Sequence, residues 1–389
     1  MMPALTRRRL LAASAFGLAS ASTTALAQST LGPKTTGVPG PGEDGRGVVE
    51  FEKTSIGGEE TFDTFGCNAY KYNAPTPDWR PATVYFERDF FSEKLELPDG
   101  NDVEYWGFED PLRGNGRRPF PSPIIRVQEG DLVHVLMRAK KGPHTIHHHG
   151  IEPTTMNDGV GHVSMEVSGR YIYQWQPRYP GTWFYHCHVN TVLHFQYGLY
   201  GALVVDPRPD AEGKVRAFEG GPDYDVERIW VFDSWDPRWH ELEHGAGLCG
   251  DDVGLNVFEP RYFFVTGIPN TRITAASNVA VRSTAAQQIL LRLINAHYGI
   301  TRIQFDFPVT IVAIDGHPLD KPWSGFVEVP AGQWIEMATA TRFDIVVRRG
   351  VAPRGAARIE YADWISRRIF GAGQSNPLYT GYAVIPFTA

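Results

Sequence analysis

Thr182-Trp-Phe-Tyr-His186-Cys187-His188 decides how this chain is read, together with His144-Thr-Ile-His147-His148-His149-Gly150 upstream and His194 downstream. These stretches hold seven of the chain's thirteen histidines and one of its three cysteines. Neutral imidazoles with one thiolate are the donor set that copper favours. Thr-Trp-Phe-Tyr favours a strand, so residues from 182 onward alternate between two faces, with His186 and His188 on one and Cys187 on the other. His147 and His149 share a face, and His144, an odd three residues earlier, takes the opposite one. The seven residues therefore sort into two centres. His144 and Cys187 begin one, His194 joining them from the loop after the strand; His147, His149, His186 and His188 form the other. Two histidines and a cysteine in a trigonal plane, with a weak axial group, make a type 1 (blue) copper site. A single zinc site is excluded by the same parity, because thiolate and flanking imidazoles cannot meet at one tetrahedral ion.

The scaffold implied around these stretches is all-β. With 12% aromatic residues, 40 Gly and 29 Pro, the 389-residue chain reads as short strands joined by turns, long enough for about two domains. Strand-like runs include Thr83-Val-Tyr-Phe-Glu-Arg-Asp-Phe, Lys94-Leu-Glu-Leu, Ile124-Ile-Arg-Val and Leu132-Val-His-Val-Leu-Met, then Tyr171-Ile-Tyr-Gln-Trp and Gly201-Ala-Leu-Val-Val. After a linker at Pro207–Lys214, a second block carries Arg228-Ile-Trp-Val-Phe, Gln288-Ile-Leu-Leu-Arg-Leu-Ile-Asn and Phe343-Asp-Ile-Val-Val. Two β-sandwiches are the simplest arrangement.

Residues 1–27 read as a targeting segment: Arg7-Arg8-Arg9-Leu10-Leu11 opens an Ala/Leu/Ser/Gly run that ends at Ala25-Leu26-Ala27. Paired arginines followed by leucines resemble a twin-arginine export signal, and either this or an ordinary secretory signal predicts a periplasmic or secreted protein. Residues 28–60 read as an extended arm, 61–208 as the copper-binding domain and 215–389 as a second domain. No further run approaches the roughly 20 apolar residues of a membrane span. A formal charge of −7 without a basic patch argues against nucleic acid as a partner. Export makes a disulfide available to Cys67 and Cys249.

His-x-x-His-x-His-Gly followed by His-Cys-His and a later His resembles the copper signatures of the multicopper oxidase (cupredoxin) superfamily. The resemblance implies two cupredoxin-like Greek-key sandwiches. It assigns His144, Cys187 and His194 to type 1 copper, His147 to type 2, and His149, His186 and His188 to type 3. It makes Asp158, in Asn157-Asp158-Gly159-Val160, a proton-delivering residue; an Asp before Gly is also an ordinary turn residue. The second block matches through Leu291–Ala296, Ile314–Leu319 and Arg342–Val347. It implies a small-molecule or metal-ion electron donor and dioxygen or another small molecule as acceptor.

Three departures matter. Six residues separate Cys187 from His194 where the oxidases usually have four. Leu199 stands at the axial position usually held by Met, and an apolar neighbour destabilises the oxidised copper. Finally, a trinuclear cluster uses two sets of four histidines, and this chain shows one. His240, His244, His297 and His317 of the second block include no His-x-His pair. A nitrite-reductase-like enzyme, with one type 2 copper completed by a neighbouring subunit in a homotrimer, and an electron-transfer or copper-binding protein with type 1 copper alone are the other readings. His148 and His162 read as neighbours of the copper sites, His240 and His244 as one face of a short surface helix, and His317 as a turn residue.

Overall fold

The computed structural model describes residues 82–153, 157–161, 166–211, 213–248, 250–319 and 325–388. The targeting segment, the arm, the start of the first domain, His162 and both Cys67 and Cys249 lie outside the described residues.

Among the described residues, four β-sheets stack as two sandwiches. In the first, β1 (Val84–Glu96), β2 (Asp102–Glu109), β4 (Val133–Arg138) and β6 (Arg170–Trp175) form one sheet in the order β2-β1-β4-β6. Facing it, β3 (Ser122–Gln128), β5 (His147–His149), β7 (Gly181–His186) and β8 (Tyr200–Asp206) run in the order β3-β8-β7-β5. Parallel pairing of β1 with β4 and of β3 with β8 gives the crossed connections of a Greek key. The chain between 83 and 96 is one strand where the sequence suggested two, and β2 was not anticipated.

The second sandwich pairs two larger sheets. One contains β9 (Val226–Trp235), β10 (Tyr262–Val265), β11 (Ile268–Pro269), β13 (Ile289–Asn295), β15 (Val309–Ile314), β16 (His317–Pro318), β17 (Val327–Val329) and β19 (Arg342–Val347). The other contains β12 (Val281–Arg282), β14 (Ile300–Phe305), β18 (Trp334–Met337), β20 (Gly355–Ala362) and β21 (Tyr382–Thr388). Trp230, Leu291, Leu293, Ile303, Ile345 and Ile359 fill the space between them.

The strand that leads into the candidate ligands is β7, buried from Gly181 to His186. Trp183, Tyr185 and then Cys187 enter the first sandwich's core. The alternate residue Phe184 packs instead with Tyr200 and Ala202 against Val231, Ile294 and Ala296 of the second sandwich. Burying a ring such as Phe184 contributes about 1.5–3 kcal/mol. The period of two thus makes β7 a wall with one face in each environment.

Polar groups also cross this seam. Tyr200 donates to Asp233 at 2.7 Å and Trp235 Nε1 donates to the same oxygen at 3.0 Å. Burial nevertheless pushes the Asp233 carboxyl up to about 7. An acid raised in the folded state binds its proton more tightly there than in the unfolded chain. This contribution is therefore fully present below about pH 4 and is lost as pH rises toward 7, by up to about 4 kcal/mol. Asp233→Asn should remove that slope, so its stability relative to wild type should rise between pH 4 and 8. Parallel stability-versus-pH curves for the two proteins would refute the assignment.

Candidate metal centre

His144 enters the first face through an isolated bridge to Val167, Cys187 follows the end of β7, and His194 lies on a six-residue helix, α1 (Thr191–Gln196). The sequence placed His194 in a loop; the six-residue spacer instead folds into this helical turn and carries the ring inward. Cys187 Sγ lies 3.6 Å from His144 Nδ1 and 3.4 Å from His194 Nδ1. Nitrogen and sulfur donors bound to one metal at trigonal angles are separated by about 3.7 Å, so this spacing fits an ion between them.

Hydrogen bonding fixes which nitrogens are free. His144 Nε2–H donates to Lys140 O at 3.2 Å, and His194 Nε2–H donates to His244 O at 3.0 Å. Both Nδ1 lone pairs are left facing the sulfur. All three residues are 0% exposed. Burial holds the His194 imidazole down at about 3 and His144 well below its ordinary value, while pushing the Cys187 thiol up to about 12. The site therefore stores neutral ligands, and a cation must displace the thiol proton. Phe90 stacks on His144 at 4.3 Å, and Trp106 meets His194 edge-on at 5.3 Å. Leu199 is completely buried, and its carbonyl accepts the Cys187 N–H at 2.9 Å.

On the second face His147 pairs with His186 across β5 and β7. Ring nitrogens of His147, His149 and His186 lie within 4.8 Å of one another. His147 Nδ1–H donates to Asp158 O at 2.7 Å and His186 Nδ1–H to Cys187 O at 2.8 Å, which leaves both Nε2 atoms as donors to an ion. His149 Nδ1 faces His186 Nε2 at 3.4 Å. The His188 ring lies 5.4 Å from that of His147 and 5.7 Å from that of His186, spacings like those within the group, although its nitrogens are not part of the three-nitrogen cluster.

Asp158 lies beside His147, with a carboxylate oxygen 3.3 Å from Nδ1. Its turn is clamped in place. Asn157 Oδ1 accepts the Gln174 N–H at 2.7 Å, and Gly159 at φ 68° leaves no room for a Cβ, which would fall 2.0 Å from Ile146 O. Asp158 thus occupies the turn and lies beside His147 at once.

The remaining histidines divide differently from expectation. His148 points away from both centres, against Trp175 and Tyr173. His240 is buried, not a surface residue, and donates from Nδ1 to Glu104 O at 2.6 Å. His244 reaches the first face, where one of its ring nitrogens lies within 4.8 Å of ring nitrogens of His144 and His194. No spacing signal pointed to it, because it arrives from the second sandwich's side of the linker. His297 is held by Ser234 at 2.6 Å inside the second sandwich, and His317 is exposed after the Asp315-Gly316 turn. Among the described residues, none of the second-block histidines joins the His147, His149 and His186 group.

Comparisons with known proteins agree with this geometry. The multicopper oxidase family profile matches residues 114–210, which contain every proposed ligand. That segment of the chain is similar to the multicopper oxidase family. The chain is 33% identical over 187 residues to an L-ascorbate oxidase of Cucumis sativus, covering 43% of this chain and 28% of that one. It is 30% identical over 156 residues to copper resistance protein A of Pseudomonas syringae pv. tomato, covering 37% and 24%. The chain thus spans about a quarter of the length of these curated relatives. Its fold is that of the blue copper oxidase from Nitrosomonas europaea, with a TM-score of 0.59 over 78% of this chain and 86% of that one, at 24% identity.

Proposed function

We propose that this protein is an exported copper-dependent oxidoreductase of the multicopper oxidase type. It takes single electrons from a small-molecule or metal-ion donor at the His144, Cys187 and His194 face and delivers them to the His147, His149, His186 and His188 face. The observation that carries the reading is the tautomer pattern. His144 and His194 each spend Nε2–H on a backbone carbonyl and present Nδ1 to Cys187 Sγ, as a trigonal type 1 site requires.

Bound copper would supply the one-electron chemistry at the first face and activation of a small acceptor, dioxygen in the leading reading, at the second. The chain supplies the rest. Its burial excludes water from the thiolate, and Leu199 offers no axial donor, which favours the reduced ion. The Cys187-His186 step joins the faces twice, through the peptide bond and through the His186 Nδ1–H bond to Cys187 O. Asp158, partly open to solvent, is placed to hold or pass a proton beside His147.

The second face is half-open, since His147, His149 and His188 are all partly exposed. A neighbouring subunit, as in a homotrimer, would complete it. The compact three-nitrogen group of His147, His149 and His186 also favours a second reading, a single type 2 copper in a nitrite-reductase-like centre. A third, electron transfer alone, leaves that group without copper.

Metal stoichiometry separates the three. Roughly four coppers per chain support the complete oxidase, about two the mononuclear centre and about one the electron carrier. We expect more than one, with His149→Ala lowering the count while the blue absorption stays. A single copper in wild type, or a count unchanged in His149→Ala, would remove the second site from the mechanism. Export through the paired arginines at Arg7-Arg8 belongs to the same proposal and predicts recovery of the protein outside the cytoplasm.

A further inference from the structure

We propose that His244 is a cap on the type 1 centre, a residue outside the ligand set that closes the edge by which small donors would otherwise reach the copper imidazoles. The inference rests on the type 1 reading above.

His144, His194 and Cys187 have no exposed surface, whereas His244 is partly exposed. Its ring lies 4.4 Å from the His194 ring and 4.9 Å from the His144 ring, and packs near-parallel to Trp106 at 5.9 Å. It is therefore the group that touches both ligand rings on one side and solvent on the other.

The cap is fixed from several directions. His244 Nε2–H donates to Pro143 O at 3.0 Å, next to the ligand His144. The His244 carbonyl accepts from His194 Nε2 at 3.0 Å and from Asn190 Nδ2 at 3.1 Å, and the Asn190 amide also holds Ala246 O at 2.9 Å. Tyr197 donates to Leu242 O at 2.7 Å. Asn190 belongs to the spacer between Cys187 and His194, which is two residues longer than the family pattern, so the extra length helps to supply the tether. Gly142 completes the seat: at φ 122° a Cβ there would lie 2.9 Å from the His244 ring.

The cap makes and breaks no covalent bond. Hydroquinone as donor would give up one electron, which would reduce a bound Cu(II) to Cu(I), and its released proton would pass to solvent. The cap determines how closely hydroquinone can approach the ligand rings.

The test uses copper-loaded wild type, His244→Ala and His244→Phe. In His244→Ala the blue absorption should remain. Anaerobic reduction by hydroquinone, followed at that band, should accelerate about tenfold. Copper loss to a chelator, a readout independent of turnover, should accelerate by a similar factor. His244→Phe keeps a ring in the seat without a nitrogen donor and should return both rates to the wild-type range. Loss of the blue band in both variants would make His244 a ligand and overturn the cap. An intact band with unchanged or slower reduction in His244→Ala would overturn it equally. If copper-loaded wild type lacks the band altogether, the type 1 reading has failed first, and the cap falls with it.

Discussion

Replacing Cys187 with Ser should abolish the blue absorption of the copper-loaded protein completely and lower its copper content by about one ion per chain. Donor oxidation should fall to background while copper on the second face is retained. The reason is chemical rather than structural. A serine hydroxyl is isosteric to a first approximation, but at neutral pH it supplies no soft anionic donor between two imidazole nitrogens 3.4 and 3.6 Å away. The buried position also bars water from standing in for the thiolate. Absorption and copper electron paramagnetic resonance spectra, recorded with metal analysis on the same sample, check each part. Survival of the band would move the type 1 centre elsewhere, and loss of all copper would mean that the two faces load as one.

Removing Arg292 should produce the largest change in stability. This side chain is completely buried between the sandwiches. Nε donates to Glu227 at 2.7 Å, Nη1 donates to Thr182 at 3.1 Å and meets Asp344 at 3.4 Å, and Nη2 lies 3.8 Å from Asp206. Thr182 also donates to Asp344, and Arg126 clamps Asp206 and Glu227 from the outside at 2.6 Å each. Thr182 and Asp206 belong to the first sandwich, whereas Glu227, Arg292 and Asp344 belong to the second. Arg292→Ala leaves the buried Asp344 carboxylate without this cation, and should cost about 3–5 kcal/mol. Chemical denaturation measures it. The double variant Arg292→Ala with Asp344→Ala should cost less than the sum of the two single changes, because the second removes a charge that the first orphaned. Additive losses would show that the network carries no coupling across the seam.

The fold and the two-centre division were legible in the sequence because both depend on local alternation. In a strand, His186 and Cys187 have to diverge, and the turn residues around each apolar run mark the strands as short. Asp158 was legible through its Asn157-Asp158-Gly159 turn, although only the packing of Gly159 against Ile146 shows why that turn sits under His147. Features set by long-range contact were not legible. His194 was expected in a loop because nothing in Val192-Leu193-His194-Phe195 distinguishes a six-residue helix from an irregular turn. His240 was expected at the surface because its four-residue spacing from His244 resembles a solvated helix face; the chain instead makes a short 3₁₀ turn at Trp239–Glu241 and buries the ring between Trp235 and Tyr197. His244, fifty residues from His194, is invisible to any spacing rule.

The wall formed by β7 separates two kinds of sequence change. Substitutions can adjust one centre without touching the other, since neighbouring side chains look into different compartments. Changes of length cannot. One residue gained or lost inside Gly181–His186 would exchange the compartments of everything beyond it, carrying the thiol toward the neighbouring sandwich and an imidazole into the core. A single substitution along this strand is felt in one compartment, and a change in its residue count in both.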